Sequence, residues 1–560
     1  MNDNIKMNGR IAKIGSVLFA ALVMVVAGYG QSQADIDKIW HKILNDTILG
    51  VDLPGVHTFI QKQGLSPQQT VIVGVLDSGI DTAHVDLKGA FWTNPGEIPG
   101  NGKDDDRNGY PDDIHGWSFL GSADGSFDVT SAGTEYFRQY KRLRPKYAGK
   151  EESDFKSDKQ RKEFAYFKYL EQKAGIRNYV KFAEVLEKRF ESYRICDSLA
   201  KACYPGQDVT LQELTKIDLQ DTVALGRIMA ALEQVLPSSY LRYGASASWK
   251  MVYDTTWAEV LQARERVASL DDPSADPRLK VGDKLNKFSD RRYGNNHLFV
   301  NDQDAMHATC VAGIIAGQGV EDPQISGIYP EARIMAVRVV PDGDEYDKDV
   351  ASAIRYAVDN GAKVINMSFG KFISPHSDQV AKAIRYAWKH DVVLVHAAGN
   401  EGINIDTVAH YPVEVDRRGR RFSNMIVVGA SCMDGSPASF SCYGQFAVDL
   451  FAPGCDIWAS QAGGGCFSAS GTSMAAPIVA GIAAMIRAYY PELSAGEVCG
   501  ILRESVTSRF GVKVTLPGKQ RRMEEKPDTE VRFEQLSRSG GIVNAAKALK
   551  MAEEVNAARQ

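Results

Sequence analysis

Cysteine is scarce. Eight residues in a chain of 560, at 196, 203, 310, 432, 442, 455, 466 and 499, cannot lay down the dense disulfide framework on which small exported folds depend. A chain this long does not need one, because its core can be large. Cys432/Cys442 and Cys196/Cys203 are the pairs that proximity allows, but connectivity does not follow from sequence. An excess of one charge is also missing. Lys and Arg number 65 against 70 Asp and Glu, and a net charge of −5 excludes a global pull towards nucleic acid or an anionic membrane. Long hydrophobic runs are absent except at 14–27, behind Lys6, Arg10 and Lys13. That run is too short for a comfortable membrane span. Basic residues, a short apolar run and the small-residue site Ser32-Gln33-Ala34 predict a secretory signal peptide over 1–34, and so a secreted, periplasmic or cell-envelope destination. An uncleaved anchor is the alternative. No cysteine follows the run to accept lipid.

What is present is concentrated in four segments. Gly471-Thr472-Ser473-Met474-Ala475-Ala476-Pro477 opens an apolar helix through Ile478-Val479-Ala480. A serine there is ordinarily an N-cap. Here small residues crowd it, Pro477 is tolerated about a turn into the helix, and the helix dipole favours negative charge beside the hydroxyl. Thr70-Val71-Ile72-Val73-Gly74-Val75-Leu76 reads as a buried parallel strand ending on Asp77, the edge where open α/β sheets place their sites. His307-Ala308-Thr309-Cys310-Val311-Ala312-Gly313 opens a second apolar helix, and a lone histidine in such a position is more often packed than catalytic. Val392-Val393-Leu394-Val395 runs through small residues into Gly399-Asn400, where the asparagine is either a turn residue or an amide donor to an oxyanion. Together they give the order Asp, His, Ser, one of the known orders of the acyl-transfer triad.

These segments are similar to those of the subtilisin-like serine peptidases (subtilases), over about 70–115 and 296–550. Asp81-Thr82-Ala83-His84-Val85-Asp86-Leu87, Gly327-Ile328-Tyr329-Pro330, Lys363-Val364-Ile365-Asn366-Met367-Ser368-Phe369-Gly370 and Asp449-Leu450-Phe451-Ala452-Pro453-Gly454 add to the match. The resemblance implies an α/β fold, a three-layer αβα sandwich on a mostly parallel sheet. It implies Ser473 as nucleophile, His307 as base, Asp77 as its orienter, Asn400 and the Ser473 N–H as oxyanion donors, and Ser368 and Gly370 as backbone partners of a peptide or protein substrate. No cofactor enters the chemistry. Ala308 and Cys310 depart from the family, which usually has glycine and histidine there. Cys310 reads as a small buried hydrophobe, with sensitivity to thiol reagents as the alternative.

Length implies more than one core, and the family's Asp-to-His interval is far longer here than usual. The expected organisation is a signal peptide at 1–34, a short segment 35–69 that is too short for the family's longer propeptide, a first peptidase part 70–125, a helical insertion 126–295 and a second part 296–560. Within 101–115, Asp104, Asp106 and Asn108 alternate before Gly109, with Tyr110, Asp112 and Asp113 after it. This resembles most of a calcium loop, although His115 stands where an EF-hand needs glutamate. A structural calcium and an acidic surface turn are the two readings. Residues 136–194 carry 17 Lys/Arg against nine Asp/Glu, with Phe182, Val185, Leu186 and Phe190 at helical spacing. Solvated helix faces over an aromatic core explain this better than nucleic-acid binding, and the insertion is a surface for substrate access or partner docking. Asp342-Gly343-Asp344-Glu345-Tyr346-Asp347-Lys348-Asp349 reads as a helix N-terminal charge cluster, or as a lure for basic substrate residues. Val512-Lys513-Val514-Thr515-Leu516 and Glu530-Val531-Arg532-Phe533 alternate like a hairpin. The leading function is a secreted endopeptidase. The alternatives are a non-catalytic scaffold that works through the insertion and an esterase with the same triad.

Overall fold

The computed structural model describes residues 33–217, 225–244, 247–272, 276–518 and 530–559, so the expected signal run 14–27 lies outside the described residues. Nine strands form the main sheet: β1 Ile72–Asp77, β2 Gly116–Ser118, β3 Arg333–Arg338, β4 Val364–Met367, β5 Val393–Ala397, β6 Met425–Ser431, β7 Leu450–Pro453, β8 Thr507–Ser508 and β9 Gly541–Ile542. Their spatial order is β8-β9-β7-β6-β5-β4-β1-β3-β2. Every neighbouring pair is parallel except β8 with β9.

The apolar run before Asp77 is unbroken because both faces of this sheet are covered. On one face lie α1 Leu53–Gln63, α2 Asp302–Ala316, α5 Thr472–Tyr489, α6 Ala495–Glu504 and α7 Ala545–Ala557. On the other lie α3 Asp347–Asp359 and α4 Ser377–Lys389. Alternation along β1 follows: Val73 and Val75 join the cluster with α2 and α5, whereas Leu76 joins the cluster with α3 and α4. Each such buried aliphatic side chain contributes about 1.5–3 kcal/mol. The result is an αβα sandwich. Among the described residues α5 alone is long and apolar enough to cross a membrane, and the core buries it instead.

The chain reverses its direction of travel across the sheet at β1, which has β4 on one side and β3 on the other. Carboxyl ends on either side of such a reversal separate and leave a crevice. Asp77 ends β1, and the extensions of β4 and β5 lead to Ser368 and Asn400.

The second compact unit comprises 136–276, while 126–135 and 277–295 belong to the first. Its helices include Asp158–Lys173, Ile176–Cys203, Leu225–Tyr243 and Trp249–Ala268. Phe190, Tyr193, Cys196, Val235, Trp249 and Val252 form its centre. Only part of the expected stripe is used there: Phe190 is buried and Leu186 half-buried, but Phe182 and Val185 run past the cluster and are exposed. The hairpin Lys513–Thr515 with Glu530–Arg532 is antiparallel as its alternation suggests.

Neither proximity pair of cysteines forms. Cys432 is bonded to Cys455, and Cys442, Cys196 and Cys203 are free. The physical reason is strand adjacency: β6 and β7 are parallel neighbours with Ser431 opposite Pro453, so residues just beyond both ends meet.

Candidate active site

Asp77 is buried at the end of β1, and its Oδ1 accepts from Ser78 N–H at 2.7 Å and from His307 Nδ1 at 2.8 Å. A carboxylate only accepts, so Nδ1 carries the hydrogen and Nε2 of the neutral ring is left able to accept one. Ser78 also donates its hydroxyl to Asp304 O at 2.6 Å, tying the strand end to the first turn of α2. Asn301 caps that helix by accepting from Asp304 N–H at 2.9 Å, so His307 sits on a fixed element. Burial opposes the imidazolium, but the Asp77 charge and hydrogen bond outweigh it and hold the His307 pKa above 6.5. The imidazole keeps 39% of its accessibility, so solvent softens the burial penalty and supports that direction.

Ser473 is the second residue of α5, where backbone N–H groups have no intrahelical partner. Gly471 holds the N-cap position and brings no side-chain cap. Pro477 lacks the N–H that would bond the carbonyl of Ser473 four residues earlier. Ser368 replaces it: its hydroxyl donates to Ser473 O at 2.9 Å, and the Ser473 hydroxyl donates to Ser368 O at 3.1 Å. Asn366 donates to Ser368 Oγ at 2.9 Å, which fixes that hydroxyl. The Ser473 hydroxyl is thus bound to the extension of β4 and not to His307, and catalytic hydrogen bonds commonly tighten only with substrate present.

Asn400 is oriented by its neighbour in space. Its Oδ1 accepts from Thr472 N–H at 2.9 Å and from Thr472 Oγ1 at 3.0 Å, while Thr472 Oγ1 accepts from Gly399 N–H at 3.1 Å. That leaves the Nδ2 donors outward. A methyl group built on Gly471 would lie 3.5 Å from Asn400 Nδ2 and 3.6 Å from Ser473 N. Two nitrogens from different elements therefore lie near one point, with Met474 Sδ 3.4 Å from it, and paired donors of this kind can stabilise a developing oxyanion. Gly370 is partly exposed on the neighbouring wall, and Ser368 is buried.

Sequence reasoning does not single out Thr472 or Ser78, since spacing does not reveal where a small hydroxyl points. Burial pushes the Cys310 thiol up to about 12, with the Asp77 charge adding to it, which suits a packed, unreactive residue. Asp347 and Asp349 are buried at the start of α3, paired with Lys371 at 2.8 Å and with Arg278 at 2.6 Å. They serve the helix and the core and cannot reach a substrate.

In the acidic loop, the structure brings Asp106 and Asp113 together with Glu97, each offering a carboxylate oxygen within 4.8 Å of the others. Asn94 and Asn108 donate amide hydrogens to both aspartates. Asp104 accepts from Gly109 N–H, and Asp112 from Gly100 and Gly102 N–H. Tyr110 packs against Trp117 and Tyr356 and donates to Arg291 O. Burial, against hydrogen bonds from Tyr356 and the asparagines, lifts Asp113 to about 6. Three crowded carboxylates, two of them buried, are the donor set a hard cation takes. Glu97 precedes the alternating pattern, so spacing does not mark it.

A model of the subtilase family matches residues 68–522. The Thermophilic serine proteinase of Bacillus sp. (strain AK1) is 41% identical over 191 residues, 33% of this chain and 44% of its own. Thermitase of Thermoactinomyces vulgaris is 39% identical over 181 residues, 32% of this chain and 60% of its own. The solved Prenylagaramide maturation protease PagA is 29% identical, covering 44% of this chain and 82% of that one, with a TM-score of 0.36. The chain spans about half the length of the curated relatives it matches.

Proposed function

Because the chain belongs to the subtilase family of peptidases, we propose that it is an exported serine endopeptidase. His307 Nε2 takes the Ser473 proton as Oγ attacks a peptide carbonyl. Asp77 keeps the imidazole in the correct tautomer and stabilises its charged form. Asn400 Nδ2 and Ser473 N–H receive the oxyanion. His307 then protonates the leaving amine, and water hydrolyses the acyl-enzyme by the same steps. Ser368 and Gly370 hold the substrate backbone as an added strand beside β4.

One observation carries this reading: Asn400 Nδ2 and Ser473 N lie 3.5 and 3.6 Å from one point beside Gly471, while His307 is bonded to Asp77 at 2.8 Å. A scaffold protein has no physical need to bring two such donors together beside a histidine–aspartate pair. The test is hydrolysis of a quenched fluorescent peptide by the protein and by Ser473→Ala. Turnover that Ser473→Ala lowers by about 10⁶-fold is expected, and equal turnover by both proteins refutes the assignment.

A calcium ion on Glu97, Asp106 and Asp113 completes the proposal as a structural element, and export follows from the reading of residues 1–34. The helical unit 136–276 acts in substrate access or partner docking.

A further inference from the structure

Past the paired ends of the parallel neighbours β4 and β5, two backbone segments run on beside the proposed oxyanion donors. Each segment carries a glycine, Gly370 on one and Gly399 on the other. Having no side chains, two glycines leave space beside the backbone, and here the His410 ring takes it. His410 Cε1 lies 2.2 Å and Nε2 2.6 Å from where a Gly370 methyl would stand, and Nε2 lies 3.0 Å from the corresponding point on Gly399. Glu401 Oε2 and Cys442 Sγ come within 2.8 and 3.2 Å of that second point.

The backbone fixes His410 there. Tyr411 N–H donates to Lys371 O at 2.7 Å, and Lys371 N–H to Tyr411 O at 3.2 Å, so the segment is stitched to the backbone just past Gly370. The imidazole stacks on His396 at 5.4 Å and 25°, and His396 Nε2 donates to Phe369 O at 2.9 Å. Burial drives both rings towards the neutral form, His396 down to about 3 and His410 to about 4, the latter against the charge of Glu401. Neutral rings give the floor no positive charge of their own to attract an acidic side chain. His410 is only 7% exposed, and its Nδ1 is buried without a hydrogen-bond partner among the described residues. A large apolar side chain pressed onto that floor would leave the nitrogen and the Glu401 carboxylate further desolvated.

Resting on the peptidase reading above and naming its substrate class, we propose that His410 closes the crevice that receives the acyl-side residue of the scissile bond, so that the enzyme cleaves after small side chains such as glycine, alanine and serine. The carbonyl of that residue points at Asn400 and Ser473, its backbone lies along Ser368, and its side chain enters between Gly370 and Gly399, where His410 limits its depth.

The experiment measures kcat/KM on one peptide series that varies only the acyl-side residue, with alanine, serine, leucine, phenylalanine, lysine and glutamate. Active protein is counted by fluorophosphonate titration of Ser473. The wild type is expected to favour alanine and serine over phenylalanine by about tenfold or more. His410→Ala should raise phenylalanine relative to alanine by a similar factor, and His410→Asn, which is smaller but still polar, should move the ratio the same way by less. Either variant suffices if the other does not fold. A wild type that prefers phenylalanine, leucine, lysine or glutamate, or ratios unchanged in the titratable variants, overturns the proposal while the peptidase reading stands. Failure of titration and of all turnover removes both.

Discussion

Thr472 occupies the Asn400 oxygen, so the amide is oriented and its Nδ2 lies 3.5 Å from the point beside Gly471. Asn400→Ala should lower kcat by about 10²–10³ with little change in KM, the size of loss known for the oxyanion-hole asparagine of subtilisin, a member of the same family. Gly471→Ala gives an independent check. Its backbone is extended and tolerates any residue, so a loss of turnover would come from the methyl group standing between the two donors. His307 supplies the pH dependence. It must be neutral to act as base, and Asp77 holds its pKa above 6.5, so kcat/KM should fall on acidification with a midpoint above pH 6.5. The same pair stabilises the fold fully below the unfolded imidazole pKa and loses that contribution as pH rises through the folded value. A midpoint below 6.5 would contradict this electrostatic account. At this scale the proposed reacting residues were legible as positions, because each closes a strand or opens a helix with a recognisable pattern. Thr472, Ser78 and His410 were not. Their roles depend on which atom faces which neighbour across the fold, and a one-dimensional pattern does not carry that information.

At the scale of elements, α5 begins with a carbonyl that its own helix cannot satisfy, since Pro477 brings no N–H to Ser473 O. Ser368 fills the gap from the next layer. Ser368→Ala should therefore destabilise by about 1–3 kcal/mol. Pro477→Ala restores the missing donor, so the double variant should recover about 1 kcal/mol relative to additivity in a thermal double-mutant cycle. Strict additivity would show that the two groups are not coupled. The acidic loop makes a second prediction. Asp113 has a folded pKa of about 6, above its unfolded value, so in chelator the protein should lose stability as pH rises from about 4 to about 6. Calcium should raise the melting temperature above pH 6, and Asp113→Asn should abolish that response while making the chelated protein less sensitive to pH. No calcium effect at pH 7 refutes the site. The alternating aspartates point to the loop in which Asp106 and Asp113 gather with Glu97. They do not identify Glu97, which chain reversal and not spacing brings to the cluster, just as strand adjacency and not proximity joins Cys432 to Cys455.

For the whole molecule, the change of texture between Asp77 and His307 was readable as a helical insertion, and the layered α/β core as a peptidase scaffold. Packing within the insertion was less readable, because helical periodicity marks an apolar face without saying how far along the helix a neighbour covers it. Phe182 and Val185 show this. The ends of the first unit that flank 136–276 pack against each other, with Ser131–Gly133 beside Pro277–Val281. Replacing 136–276 by a short glycine-serine linker should therefore leave turnover of small peptides within about threefold while changing which folded proteins are cut. Loss of small-peptide turnover in a protein that still folds would assign the helical unit a part in the reaction itself.

The central claim, that Ser473 is the activated nucleophile of an assembled site, is tested most directly by treating the native protein with a fluorophosphonate and mapping the adduct by mass spectrometry. The account predicts a single phosphonyl group on Ser473, absent from heat-denatured protein and from Ser473→Ala, and much slower to form in His307→Ala. Folded protein that takes up no label, or labels at another residue while Ser473→Ala still hydrolyses peptides, would contradict it.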